Sequence, residues 1–332
     1  MRRALGSRAA RTIGSAAIAV VLLAWLLRIE DPRELIATLQ QASLGLVALA
    51  VLPAIGFGLA RAWRFRILLE PAGAPRRRGL LAVTLAGWSV GLLLPGPVGD
   101  GAFVWLASRQ LEVPILRATG AVLLARVFDV VSLLTIAVST AMVVGVRLPV
   151  FVVAAGTGLA LLGGGALGAI FWRRSRHYLV GLLARVQVAR RLAARAGDAL
   201  DALGQIHNPG GLVVSTVAAR CSTVVLYLCL FAAIGHPLTV WQVWFAVSIR
   251  TLLLAVPVQG LAGLGTTQLW WTGALTMLGL PVEDAVGVAL AVHLLDLAVS
   301  LPVGLAGWAA LLRHPSRRGL TEAGRRAVST AS

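Results

Sequence analysis

The sequence predicts an all-α integral membrane protein of about eight membrane segments, six full spans and two Pro/Gly-broken hairpins, arranged as an inverted-topology repeat. Three observations predict it. Apolar stretches of spanning length recur along the chain, arginine is concentrated on one side of them, and the second half repeats the polar order of the first.

Composition sets the class. Of 332 residues, 58% are apolar and 13% charged, with a mean hydropathy of +0.86, whereas soluble domains hold roughly 45–50% apolar and about 25% charged residues. A water-soluble globular protein is therefore excluded. The net charge is +17, and all 30 basic residues are arginine. In a soluble chain that excess points to nucleic acid; in a membrane protein it is sorted by side of the bilayer, and no nucleic-acid partner is expected.

A spanning helix needs about 20 predominantly apolar residues. Uninterrupted candidates are 12–27, 42–60, 118–146, 149–172, 209–235 and 284–312. The first follows Arg2, Arg3, Arg8 and Arg11 and leads into Arg-Ile-Glu-Asp-Pro without a small-residue cleavage site, so it is expected to be retained. Segments 79–109 and 240–280 are broken at Leu94–Gly99 and Pro257–Gly265, and each returns the chain to the side it left, as a re-entrant hairpin or as two short spans.

On that path 24 arginines, including all six placed in a 61–78 loop, fall on one face, and the other face receives Arg28, Arg33 and Arg147. Both termini are expected to be cytoplasmic and the location to be the cell membrane. The domain plan follows: one polytopic unit over 1–332, repeat 1 over 42–146, a linker span and basic amphipathic helix over 149–208, repeat 2 over 209–312 and a basic tail over 313–332. In the amphipathic stretch Leu179, Leu182, Leu183, Val186 and Leu192 recur at helical spacing between arginines, suited to anionic inner-leaflet headgroups.

The repeat is carried by polar residues. Gly99-Asp100 is followed 26 residues on by Arg126 and then Asp129; Gly265 and Gln268 are followed 25 residues on by His293 and then Asp296. An Arg or Asp at a span centre costs about 2.5–3.5 kcal/mol on insertion scales. Asp100, Arg126, Asp129, Arg220, Arg250 and Asp296 nevertheless lie in apolar surroundings, three of each sign. Arg126 and Asp129 share a helix face and are expected to pair. A guanidinium also holds phosphate bidentately, which makes Arg126, Arg250 and Arg220 the candidate headgroup-binding residues. Asp100, Asp129, Gln268, His293 and Asp296 are the candidate lining of a polar cavity and candidates for coupling to a proton gradient.

Glycine divides into two uses. Gly163, Gly164, Gly165 and Gly168 are expected to pack a helix closely, whereas Gly96, Gly99, Gly101, Gly260, Gly263 and Gly265 are candidate hinges where the backbone turns. Cys221 and Cys229 lie about 12 Å apart on a helix, too far to bridge, and are expected to be small buried hydrophobes. No cofactor and no metal is expected.

At Leu94-Pro95-Gly96-Pro97-Val98-Gly99-Asp100, Arg126-x-x-Asp129, Arg61-x-x-Arg64 and Gly263-Leu264-Gly265-x-x-Gln268, the sequence resembles the flippase-like membrane domain of lysylphosphatidylglycerol synthases, over roughly 12–312. That resemblance implies movement of a phospholipid between leaflets, an aminoacylated phosphatidylglycerol in the best-known members. The family usually carries Gly-Glu and a following Arg in the first hairpin; here Asp100 stands for the Glu, and the Arg gives way to the Phe103-Val104 region. In the second half Gln268 stands for a Glu, and His293 holds the basic position. Fewer fixed charges imply either a different headgroup or a loss of activity. The cytosolic synthase domain is not in the sequence, so no catalytic residue is expected.

The leading expectation is thus a phospholipid flippase-like transporter for an anionic or zwitterionic headgroup. The alternatives are a non-transporting scaffold for a cytoplasmic enzyme, a small-solute secondary transporter, and an intramembrane aspartyl protease built on Asp100 and Asp129. The protease reading requires one carboxyl kept protonated by its neighbour, which Arg126 beside Asp129 opposes.

Overall fold

A computed structural model describes residues 32–70, 77–94, 96–171, 208–254 and 261–313. They form ten α-helices and, among the described residues, no strand. The predicted span 12–27, most of the amphipathic stretch, Gly260 and the basic tail lie outside the described residues.

Helix α1, Pro32–Gln41, lies between the predicted spans 12–27 and 42–60, where no segment was expected. Repeat 1 then reads α2 Leu44–Leu69, α3 Arg77–Leu93, α4 Val98–Leu111 and α5 Ile115–Val144. Helix α6, Val150–Phe171, links it to repeat 2, which reads α7 Pro209–Ala233, α8 Val240–Leu253, α9 Thr266–Met277 and α10 Val282–Arg313. Each repeat has the order long, short, short, long.

Local chemistry sets the ends. Asn208 Oδ1 accepts from the Gly211 amide at 2.7 Å while Pro209 occupies the first turn of α7, where its missing N–H costs nothing. Thr239 and Gln242 form a reciprocal capping box on α8. Helix α5 stops at Gly145, whose φ of 77° closes the last turn in the left-handed region.

Helices α2, α5, α7 and α10 are long and apolar enough to cross a membrane. Helix α6 is apolar but shorter over the residues whose side chains are described. The hairpin arms α3, α4, α8 and α9 hold 17, 14, 14 and 12 residues. At 1.5 Å per residue none reaches the roughly 30 Å of a hydrocarbon core, so the hairpins have re-entrant dimensions. The exposed side of α2 carries Leu52, Ile55, Leu59 and Trp63 at helical spacing, and its buried side carries Ala50, Ala54 and Gly58. Apolar outside and small inside is the pattern of a helix between lipid and protein.

The packing exchanges the repeats. Helix α2 packs on its counterpart α7, α3 packs on α10, and α5 packs on α8. Swapping repeat 1 for repeat 2 maps the first pair onto itself and the other two onto each other, which is the signature of a twofold relation. The counterparts run in opposite directions: the Ser43 amide at the start of α2 donates to the Ala233 carbonyl at the end of α7 at 2.9 Å, and Gly56 faces Ser222 midway. The two units are therefore inverted. The tip of the second hairpin, the short 3-10 turn Leu261–Gly263, abuts α3 of the first.

Three expectations need correction. The span predicted to end at residue 60 continues as helix to Leu69, so Arg61, Arg64 and Arg66 are helical, not part of a loop. Of the four glycines expected to pack α6 closely, Gly163 does so, against Val131, whereas a Cβ on Gly164, Gly165 or Gly168 would meet no described residue; Gly156, two turns earlier, lies against Val138. Close approach also occurs where Gly99 of α4 meets Gly91 of α3 and where Gly307 of α10 meets the Ala86 backbone of α3. Cys221 is exposed, and Cys229 is half-buried at the edge of the core that holds Leu226 and Leu230, both as free thiols.

Two aromatic cores support the polar residues. Phe65 and Phe103 stack with centroids 4.0 Å apart in repeat 1. In repeat 2, Trp271 meets Tyr227 and Phe231 edge-on at 4.8 and 5.3 Å, geometries that aromatic quadrupoles favour.

Candidate functional site: two charge clusters in equivalent positions

The equivalence of the repeats is residue for residue. Asp100 is the third residue of α4 and Gln268 the third of α9. Arg126 and Asp129 are the twelfth and fifteenth residues of α5, and His293 and Asp296 hold the same places in α10. The polar order read from the sequence thus occupies matching positions in space.

The first cluster draws on four helices. Helix α2 presents Arg61 and Arg64, three apart on one face; α5 presents Arg126, Asp129 and Ser132; α7 contributes Arg220. Asp100 lies in the first turn of α4, where the helix dipole favours an acid. Asp129 accepts from Arg64 NH1 at 2.7 Å and NH2 at 3.3 Å, and from Arg220 NH2 at 2.6 Å. Arg220 Nε reaches Ser132 Oγ at 3.4 Å. Asp100 accepts from Arg126 Nε at 2.7 Å and NH2 at 2.6 Å, and from Arg61 NH2 at 3.2 Å.

This corrects the expected pairing of Arg126 with Asp129. They share a helix face, but each is claimed by another helix: Asp100 takes Arg126, and Arg64 with Arg220 takes Asp129. It also corrects the charge balance. With Arg61 and Arg64 inside, four arginines face two aspartates, a surplus of two positive charges. The Nε atoms of Arg61 and Arg64 are buried without a hydrogen-bond partner, and the Arg126 side chain is 56% exposed. Excess positive charge, buried donors without partners and one exposed guanidinium make this cluster a candidate anion site.

The second cluster is different in kind. Asp296 accepts from Tyr227 Oη and Ser300 Oγ, both at 2.7 Å, and Arg250 NH2 stands off at 4.0 Å. The Arg250 guanidinium lies 5.6 Å from the ring centres of both Tyr227 and Trp271, within cation–π range. His293 Nε2 lies 2.9 Å from the Ala262 carbonyl at the hairpin tip. One arginine against one aspartate leaves no surplus. Arg250, expected beside Arg126, belongs here instead, because α8 carries it to the Trp271 and Tyr227 rings. Arg220 and Tyr227 are seven residues apart on α7, so the clusters are separated by about 10 Å along that helix.

The candidate hinges separate on the same grounds. Gly96, Gly263 and Gly265 adopt φ of 73°, 69° and 80°, which only glycine reaches cheaply. Gly99 and Gly101 lie within α4, Gly99 as a packing contact and Gly101 with open space beside it.

Arg61, Arg64 and Tyr227 were not among the expected site residues. The Arg61-x-x-Arg64 spacing, equal to that of Arg126 and Asp129, marks a polar helix face. Tyr227, a hydroxyl within an apolar stretch, required a partner.

Fold and clusters together define a polytopic helical membrane protein in which inverted repeats enclose buried charge, the architecture of many membrane carriers. The chain belongs to the family described as the lysylphosphatidylglycerol synthase TM region, which it matches over residues 12–304. Among curated proteins and among solved structures no match was found.

Proposed function

We propose that the protein is a flippase-like carrier that moves a phospholipid with an anionic or zwitterionic headgroup between leaflets, aminoacylated lipids included. The observation that carries this reading is the surplus of two positive charges in the first cluster, beside the open Arg126. The headgroup phosphate would meet Arg126 first and draw on Arg220 and the free Nε–H groups of Arg61 and Arg64, while the acyl chains stay in lipid. The family supports a lipid-related role in the membrane. The protein is read as having no catalytic activity of its own: each aspartate of the first cluster is paired with two arginines, an arrangement unlike the paired carboxyl groups of an aspartyl dyad.

The arginine asymmetry supports a cell-membrane protein with cytoplasmic termini and basic segments against anionic lipid. The test is reconstitution into liposomes with fluorescent phosphatidylglycerol, lysylphosphatidylglycerol and phosphatidylethanolamine and a leaflet-specific quencher. Protein-dependent movement that falls at least tenfold in Arg126→Gln supports the reading. Movement at the wild-type rate in that variant, or none for any lipid, overturns it.

A further inference from the structure

Repeat 2 buries more hydrogen-bonding capacity than it uses. Gln268 has no exposed surface, and neither its Oε1 nor its Nε2 has a partner. The same holds for Ser248 Oγ and Arg250 Nε on α8, Trp271 Nε1 and Thr272 Oγ1 on α9, and His293 Nδ1 on α10. Gln268, Trp271 and Thr272 stand at i, i+3 and i+4, one face of α9. Trp271 from that face touches the Tyr227 ring and lies against Arg250, so α7, α8 and α9 converge there.

An unsatisfied buried donor or acceptor costs about 1–3 kcal/mol, and buried polar side chains are ordinarily partnered. Gln268, Trp271 and Thr272 on one face of α9, with Arg250 of α8 against the Trp271 ring, therefore gather unpartnered polar atoms whose missing bonds an occupant would supply.

The chemistry of the free atoms selects that occupant. Amide, indole and guanidinium N–H groups donate; the amide oxygen accepts; hydroxyls and imidazole do either. The charged pair nearby, Arg250 and Asp296, cancels. A phosphate would find no surplus positive charge and an ammonium no surplus negative charge. A neutral group carrying several hydroxyls both donates and accepts without adding charge.

We propose that repeat 2 holds a second binding site, distinct from the anion cluster, for an uncharged polyhydroxyl group such as a sugar or glycerol moiety. It lies behind the hairpin tip, where the left-handed turn at Ala262 and Gly263 abuts His293. The site stands on the orphaned atoms alone and does not depend on the flippase reading.

The experiment uses the full chain in nanodiscs, with lipid binding followed by native mass spectrometry. The probes are a monoglucosyl diacylglycerol, the parent diacylglycerol, phosphatidic acid, and free methyl glucoside as competitor. Wild type is expected to bind the glucosyl lipid at least tenfold more tightly than diacylglycerol. Gln268→Leu should abolish that preference and leave phosphatidic acid binding unchanged, whereas Arg126→Gln should do the reverse. Thr272→Val provides the same test should Gln268→Leu fail to fold. Competition by methyl glucoside assigns the site to soluble polyols as well, and its absence assigns it to lipid headgroups. Equal binding of glucosyl lipid and diacylglycerol to wild type, or an undiminished preference in both variants, overturns the proposal and leaves ordered water as the occupant.

Discussion

Arg64 holds Asp129 with both terminal nitrogens, at 2.7 and 3.3 Å, bringing α2 and α5 together across 65 residues of sequence. Arg220 of α7 approaches the same carboxylate at 2.6 Å. Because α2 and α7 are counterparts, a single aspartate of repeat 1 ties the inverted halves together. Its charge is structural.

Removal of that charge leaves two buried guanidinium groups sharing no counter-ion. Breaking a buried pair from one side costs about 3–5 kcal/mol. Asp129→Asn is expected to lower the free energy of unfolding in detergent by about 3–5 kcal/mol. The double change Arg64→Met with Asp129→Met is expected to cost less than the sum of the singles, read by a double-mutant cycle.

Arg126 tests function with little effect on folding. Its side chain is 56% exposed, and exposed ion pairs contribute about 1 kcal/mol or less. Arg126→Gln is expected to keep the unfolding midpoint within a few degrees of wild type. Loss of one charge-assisted contact to phosphate, about 1.5–3 kcal/mol, is expected to weaken phosphatidic acid binding roughly 10- to 100-fold, measured by native mass spectrometry.

Tyr227 is the hydroxyl donor of Asp296 at 2.7 Å. Tyr227→Phe keeps the ring against Trp271 and deletes one bond to a buried carboxylate, so a loss of about 1–3 kcal/mol is expected. Thermal unfolding measures it. Ser300→Ala, which removes the other donor at 2.7 Å, is expected to be non-additive with it because both act on one group.

The contact of α10 with α3 depends on the absence of a side chain. A Cβ on Gly307 would fall 2.5 Å from the Ala86 amide nitrogen and 2.6 Å from the Ala82 carbonyl oxygen. Gly307→Ala is expected to force the helices apart at about 1–3 kcal/mol. Gly164→Ala on α6, where a Cβ meets no described residue, is expected to leave the unfolding midpoint unchanged.

Much of the fold was legible because a bilayer enforces simple rules. Predicted spans 118–146, 209–235 and 284–312 correspond to α5, α7 and α10 within three residues at each end, since apolar length alone decides where a helix can cross. The matched order of Asp100, Arg126 and Asp129 with Gln268, His293 and Asp296 was legible too, and it superposes at identical helix positions. The end of α2 was not. Arg61, Arg64 and Arg66 read as a solvated loop because charge normally closes a span; here partners on α4 and α5 let the helix continue.

The sequence by itself determined the class of molecule, the positions of its long helices and the repetition of polar residues, because each depends on local composition or on spacing along one helix. Tertiary structure alone decided which charges meet. Arg126 and Asp129 are neighbours on α5, yet their partners arrive from α4, α2 and α7, so pairing is set by helix packing. Packing also turned an apparent balance into two unlike clusters, one with positive charge to spare and one neutral with unpartnered polar atoms, in equivalent places of an inverted pair.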